Sequence, residues 1–68
     1  MKLKDVLHNV LAVVEISTVF TNADGQTIIR TGNREYYQNH DEWNELFVVT
    51  LIPMGVYKFT IYLSEVCA

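Results

Sequence analysis

The side chains in this sequence that could act as acids, bases, nucleophiles or metal ligands are His8, the run His40-Asp41-Glu42, and Cys67. The run could be written as a metal cluster or an acid/base pair. Neighbouring residues on a polar loop seldom converge on one ion, however, and spacing identifies no third ligand, so the run reads as solvated loop. His8 falls opposite an apolar helical stripe and reads as an exposed side chain. Cys67 has no cationic or histidine neighbour in the sequence to stabilise a thiolate. As the one cysteine it cannot form an intrachain disulfide, which fits a reducing compartment. His8, His40 and Cys67 are scattered singly, whereas structural zinc takes three or four Cys or His ligands in paired spacings. No serine has a nucleophile-elbow context, and Gly25, Gly32 and Gly55 are isolated turn glycines without phosphate-loop spacing. The sequence therefore predicts no catalytic residue, no metal and no cofactor, and a chain this small has little room for a water-excluded pocket.

A different constellation stands out in Arg34 to Glu45, the most polar part of the chain, which also holds Tyr36, Tyr37 and Trp43 among Glu35, Asp41, Glu42 and Glu45. Tyr and Trp are enriched at binding hot spots and costly to leave exposed. They would also serve to fold back over an open core edge, and residue type alone does not choose between these duties. The acidic residues suit a solvated loop. The sharper reading makes Glu35, Tyr36, Tyr37, Asp41, Glu42 and Trp43 a contact surface for a protein partner. The acidic residues Glu35, Asp41, Glu42 and Glu45 could further compete with nucleic acid for a basic groove, and Arg34 inside the cluster with the modest net charge weighs against such mimicry.

The elements that must position these residues follow from periodicity. Leu3, Val6, Leu7, Val10 and Leu11 form one stripe at helical spacing, with Asp5 in the first turn where the helix dipole favours a carboxylate. From Val13 the period becomes two, with Val14, Ile16 and Phe20 on one face of a strand. Asn22-Ala23-Asp24-Gly25 supplies a tight turn, and Gln26 to Thr31 returns as the second strand. Arg34 to Glu45 reads as a loop with room for one helical turn. Leu46 to Ile52 and Val56 to Leu63 are two further strands, joined by a Pro53-Met54-Gly55 turn. That turn would set Leu51 opposite Tyr57, Val49 opposite Phe59 and Phe47 opposite Ile61, one apolar row on which the helix could sit. The opposite face would carry Val48, Ile52, Val56 and Tyr62, more apolar than a water-facing sheet requires and suited to a homo-oligomer interface. The predicted fold is α+β: a short N-terminal amphipathic helix packed on an antiparallel sheet of four strands arranged as two hairpins, in one domain over residues 1–68.

Composition narrows the partners. Half of the 68 residues are hydrophobic, which separates the chain from disordered sequences. A domain of this size usually comes out near zero when burial is set against chain entropy, and packing or oligomerisation must supply the difference. With a net charge of −3 and five Lys plus Arg, the basic footprint of a nucleic-acid binder is missing, so duplex DNA is not expected as a direct partner. No apolar run approaches the roughly 20 residues of a membrane span, and Asp5, His8 and Asn9 interrupt anything resembling a signal peptide. Cytoplasmic location is the resulting expectation.

Met1-Lys2-Leu3-Lys4-Asp5-Val6-Leu7, the strand that follows, Asn44-Glu45-Leu46-Phe47-Val48-Val49 and Tyr57-Lys58-Phe59-Thr60-Ile61-Tyr62-Leu63 resemble small proteins encoded by phages and prophages of Gram-positive bacteria. Most of those are of unassigned function. The resemblance implies a mobile-element origin and a helix-plus-sheet fold, and it carries no catalytic residue across; Arg34 to Trp43 is longer and more aromatic than that group leads one to expect. Two functions follow as expectations. The first is a non-enzymatic interaction protein that binds and modulates a host protein, such as a bacterial defence or nucleic-acid enzyme. The second is a self-assembling structural or accessory protein acting as a homo-oligomer.

Overall fold

The structure, a computed structural model, describes residues 1–66, without the side chain of Asp41. Cys67 lies outside the described residues. The elements run α1 (Leu3–Leu7), β1 (Glu15–Thr21), β2 (Thr27–Gly32), α2 (Arg34–Gln38), a 3-10 turn (Asp41–Trp43), β3 (Phe47–Gly55) and β4 (Lys58–Ser64). The strands form one sheet in the order β2-β1-β4-β3. β1 pairs with β2 and β3 with β4 antiparallel, but the central pair β1 and β4 is parallel, so the sheet is mixed rather than antiparallel throughout. The reason is topological. Two hairpins laid side by side with β1 and β4 in the middle must run those strands the same way, because the helical segment between the hairpins carries the chain across the sheet.

Hydrophobic alternation decides which face is buried. Ile16, Thr18 and Phe20 of β1 stand beside Phe59, Ile61 and Leu63 of β4, and this shared inner face holds the centre of the core. Leu3, Val6, Leu7 and Val10 cover it from the N-terminal segment, while Tyr37 and Trp43 cover it from the segment after β2. α1 spans five residues and Leu11 is exposed, so the apolar stripe delivers four of its five predicted residues to the core. The Asp5 carboxylate accepts the Lys2 backbone N–H at 3.0 Å, satisfying a donor at the start of α1. Among the described residues no helix is long and apolar enough to cross a membrane.

The second hairpin turns later than its composition predicts. Pro53, Met54 and Gly55 lie within β3, and Val56-Tyr57 makes the turn, with Gly55 opposite Lys58. Pro53 is tolerated because β3 is an edge strand and needs no outward N–H there. Leu51 consequently faces Ile61, Val48 faces Leu63 and Phe47 faces Ser64. Register shifts between Val48 and Thr50 and between Pro53 and Gly55 mark bulges. The first of these brings Val48 onto the inner face, against the expectation that it faces outward, and Val48 packs on the core. In the first hairpin the Asn22 side-chain carbonyl accepts the N–H groups of Asp24 and Gln26, each at 3.0 Å, and Gly25 takes the positive φ of 82° that this loop requires.

Candidate functional site

Asn33 decides the fate of the aromatic segment. Its side-chain oxygen accepts the Tyr36 N–H at 2.9 Å, an N-cap that starts α2 directly after β2. The short helix then points Tyr37 into the protein, where it is fully buried. The Tyr37 hydroxyl lies 3.0 Å from Thr18 Oγ1 and 3.1 Å from the carbonyl oxygens of both Ile16 and Arg30, above the seam between β1 and β2. Burial raises its pKa above the usual tyrosine value, with the Thr18 hydrogen bond opposing. Trp43 is 4% exposed and meets Phe20 edge-on at 5.5 Å, and the Arg30 guanidinium rests 4.9 Å from its ring centre. Tyr37 and Trp43 are therefore core residues, and they cannot be the exposed anchors of a contact surface.

Of the remaining members of that predicted surface, Tyr36 is half-buried, meets Tyr37 edge-on at 5.1 Å and stacks on His40 at 4.2 Å. His40 Nδ1 is 2.7 Å from the Tyr36 carbonyl, so the histidine closes the end of α2. Glu35 and Glu42 are exposed. Glu42 reaches Arg30 at 3.5 Å, and Glu45 holds Lys2 at 2.7 Å and Lys4 at 2.9 Å. These two lysines, Lys2 first, lower the Glu45 pKa to about 2, and the Glu45 hydrogen bond raises that of Lys4. Two members of the acidic cluster, Glu42 and Glu45, are thus paired with cations from other parts of the chain. Among the described residues no three His, Cys, Asp or Glu side chains converge to hold a metal ion.

Two surfaces stand apart from these contacts. One is an apolar cavity of about 300 Å³ between the α1 segment and strands β3 and β4, lined by Met1, Val6, Val10, Leu51 and Phe59 with Asp5 and Asn9. It exists because α1 ends after five residues and leaves the inner face beside β3 partly uncovered. The other is the outer face of the sheet. The pairings align Ile29, Val19, Tyr62 and Thr50 in one row across all four strands, and Thr31, Ser17, Thr60 and Ile52 in the next. Ile29, Tyr62 and Ile52 are exposed. Charge on this face is confined to its ends: Glu15 and Lys58 pair at 3.7 Å at one, and at the other Lys2 lies beside Phe47, 5.7 Å from its ring centre, and holds Glu45 at 2.7 Å. Hydroxyl pairs join β1 to β2 along it, Ser17 with Thr31 at 3.2 Å and Thr21 with Thr27 at 3.1 Å.

Ile52 and Tyr62 of the predicted oligomer interface therefore share this face. Val48 belongs to the inner face, and Val56 sits in the turn, 85% exposed. The contributions of Val19 and Ile29 escaped sequence reasoning because no hairpin considered alone reveals that β1 stands next to β4. Alternation in Thr27-Ile28-Ile29-Arg30-Thr31 was the available signal. No protein-family model, curated protein or solved structure matches the chain.

Proposed function

We propose that the chain is a non-enzymatic interaction protein of the phage type that its sequence resembles. In this reading it acts in the host cytoplasm, binding and modulating a host protein, with a bacterial defence or nucleic-acid enzyme as the class of target. The observation that carries the reading is the outer sheet face, four strands wide, with Ile29, Val19 and Tyr62 in line, Ile52 beside them, and the ion pairs Glu15–Lys58 and Lys2–Glu45 at its two ends. Charge depletion around a central aromatic residue is the compositional signature of the core of a protein interface. The groups that first suggested chemistry support the same reading, since His40 is engaged by the Tyr36 carbonyl and Glu42 by Arg30. The burial of Tyr37 and Trp43 and the pairing of Glu42 with Arg30 and of Glu45 with Lys2 and Lys4 support a reading in which the sheet face, rather than Arg34 to Glu45, makes the contact.

Affinity capture from a lysate of a Gram-positive host tests this directly. One host protein should be retained in stoichiometric amount by the natural chain and at least about tenfold more weakly, or ~1.4 kcal/mol, by Tyr62→Lys and Ile52→Lys. Thermal unfolding of both variants should match the natural chain. Equal capture by the variants would exclude the outer face as the binding surface.

A further inference from the structure

We infer that the free edge of β2 is a pairing edge for a second copy of this chain, joining two four-stranded sheets into one continuous sheet across a two-fold axis at Ile29. This does not depend on what the outer face binds. It begins from a difference between the two edges of the sheet. At β3 the N-terminal segment covers one end, through a bridge between Lys2 and Phe47 and the Val48 N–H donated to the Met1 carbonyl at 2.7 Å. Further along β3, Pro53 lacks an N–H and two register shifts bend the strand. These are the devices by which proteins blunt an edge. Among the described residues β2 shows neither a covering segment nor a break of this kind: Thr27 to Gly32 pairs with β1 without a register shift and contains no proline, and its one charged side chain, Arg30, lies on the inner face against Trp43.

The hydrogen-bond phase of the first hairpin shows which groups this edge presents. The Asn22 N–H donates to the Gln26 carbonyl at 2.9 Å, so Asn22 and Gln26 form a hydrogen-bonded pair. Antiparallel pairs alternate. Ile28, Arg30 and Gly32 therefore spend their N–H and C=O groups on β1, while Thr27, Ile29 and Thr31 aim theirs outward. The side chains agree, since the hydroxyl pairs Ser17–Thr31 and Thr21–Thr27 occur at the closely approaching, non-hydrogen-bonded positions. Thr27, Ile29 and Thr31 are all exposed.

That pattern is self-complementary in one register. Centred on Ile29, an antiparallel second copy sets Ile29 opposite Ile29, Thr27 opposite Thr31 and Thr31 opposite Thr27, so that every outward backbone group finds a partner. Opposed residues lie on the same side of a sheet, so both sets of helices stay on one face. Ile28 then meets Arg30 of the second copy and no like charges are opposed, whereas a register centred on Arg30 would set guanidinium against guanidinium and use groups already spent on β1. The outer rows become continuous, running from Tyr62 through Val19 and Ile29 into the same residues of the second copy. Isologous pairing of this kind is the commonest form of self-association, and edge pairing supplies backbone hydrogen bonds without a deep pocket.

Light scattering after size exclusion should give twice the chain mass of 7.9 kDa for the natural protein at high concentration. Ile29→Pro deletes an outward N–H and no bond to β1, and it should return the mass to one chain. Tyr62→Lys and Ile52→Lys, on the face but off the edge, should remain dimeric. Amide exchange provides a readout that needs no variant. Thr27, Ile29 and Thr31 should gain protection as concentration rises, while Ile28, Arg30 and Gly32 are protected throughout. A natural chain that stays monomeric, or one whose Thr27, Ile29 and Thr31 amides exchange freely at every concentration, would overturn the proposal. So would a dimer dispersed by Tyr62→Lys and unaffected by Ile29→Pro, which would indicate face-to-face packing. Loss of host-protein capture with the dimer intact bears on the function proposed above and leaves this inference standing.

Discussion

Tyr37 has one hydroxyl proton and three oxygen neighbours, Thr18 Oγ1 and the Ile16 and Arg30 carbonyls. The arrangement is satisfied when Thr18 donates to Tyr37 and Tyr37 donates to a carbonyl. Thr18 is fully buried, so removing the tyrosine oxygen leaves a hydroxyl without its partner in the core. Tyr37→Phe should cost about 1–3 kcal/mol, read as a fall in Tm of roughly 4–8 °C per kcal/mol in a domain of this size. Adding Thr18→Val should recover part of that loss, because the double variant leaves no orphaned hydroxyl; strictly additive losses would contradict the shared bond. Tyr37 also shows why residue type misleads. The same amphipathic ring serves a hot spot or a core, and what decides between them is Asn33, whose cap sets the direction of the helix. The sequence left room for one helical turn after Asn33, but the face that Tyr37 would occupy depended on β1 and β2 already being in place.

At the scale of elements, the passage from β2 into α2 has almost no tolerance. A Cβ built on Gly32 would lie 2.5 Å from Tyr36 Cδ2, 2.6 Å from its Cγ and 2.9 Å from its Cβ. Tyr36 Cβ is fixed by the helix backbone, so no rotation of the side chain relieves all three contacts. Gly32→Ala should therefore push α2 off the sheet at a cost of about 1–3 kcal/mol, whereas Gly55→Ala, which meets open space, should stay within about 0.5 kcal/mol. Denaturant melts of the two variants side by side would check this, and equal midpoints would contradict it. Both glycines look like turn residues in the sequence. Only Gly25 is required by its own backbone, with φ of 82°. The Asn22 to Gly25 turn was readable because its side chains act on their own loop. Pro53-Met54-Gly55 was misread because register in β3 and β4 is set by a distant partner: Phe59, Ile61 and Leu63 align on Ile16, Thr18 and Phe20 of β1, and the turn falls where that alignment leaves it. Local composition contains no record of a parallel neighbour.

For the molecule as a whole, the Lys2–Glu45–Lys4 network ties the beginning of the chain to the entry of β3. Its pH dependence has a definite sign. Glu45 titrates at about 2 in the folded chain against an ordinary value of 4.5, so its contribution is present above pH 4.5 and lost as pH falls toward 2. Lys4, raised above 10.5, contributes below that pH and loses its contribution as pH rises through the higher folded value. Glu45→Gln should flatten the acid limb of a Tm-against-pH curve between pH 4.5 and 2, and added salt should have less effect on the variant than on the natural chain. An unchanged acid limb would show that the network contributes nothing. The α+β class and most core positions were legible from alternation and the helical stripe. The mixed sheet was not, because parallel pairing leaves no short-range mark. That parallel pair also sets what a truncation costs. β4 follows the other three strands in chain order and yet occupies the middle of the sheet, bonded to β1 on one side and β3 on the other. A single hairpin is marginal in water, so without β4 the chain is left with one hairpin and an unpaired strand. A chain cut short before Lys58 has lost the strand that makes two hairpins one protein.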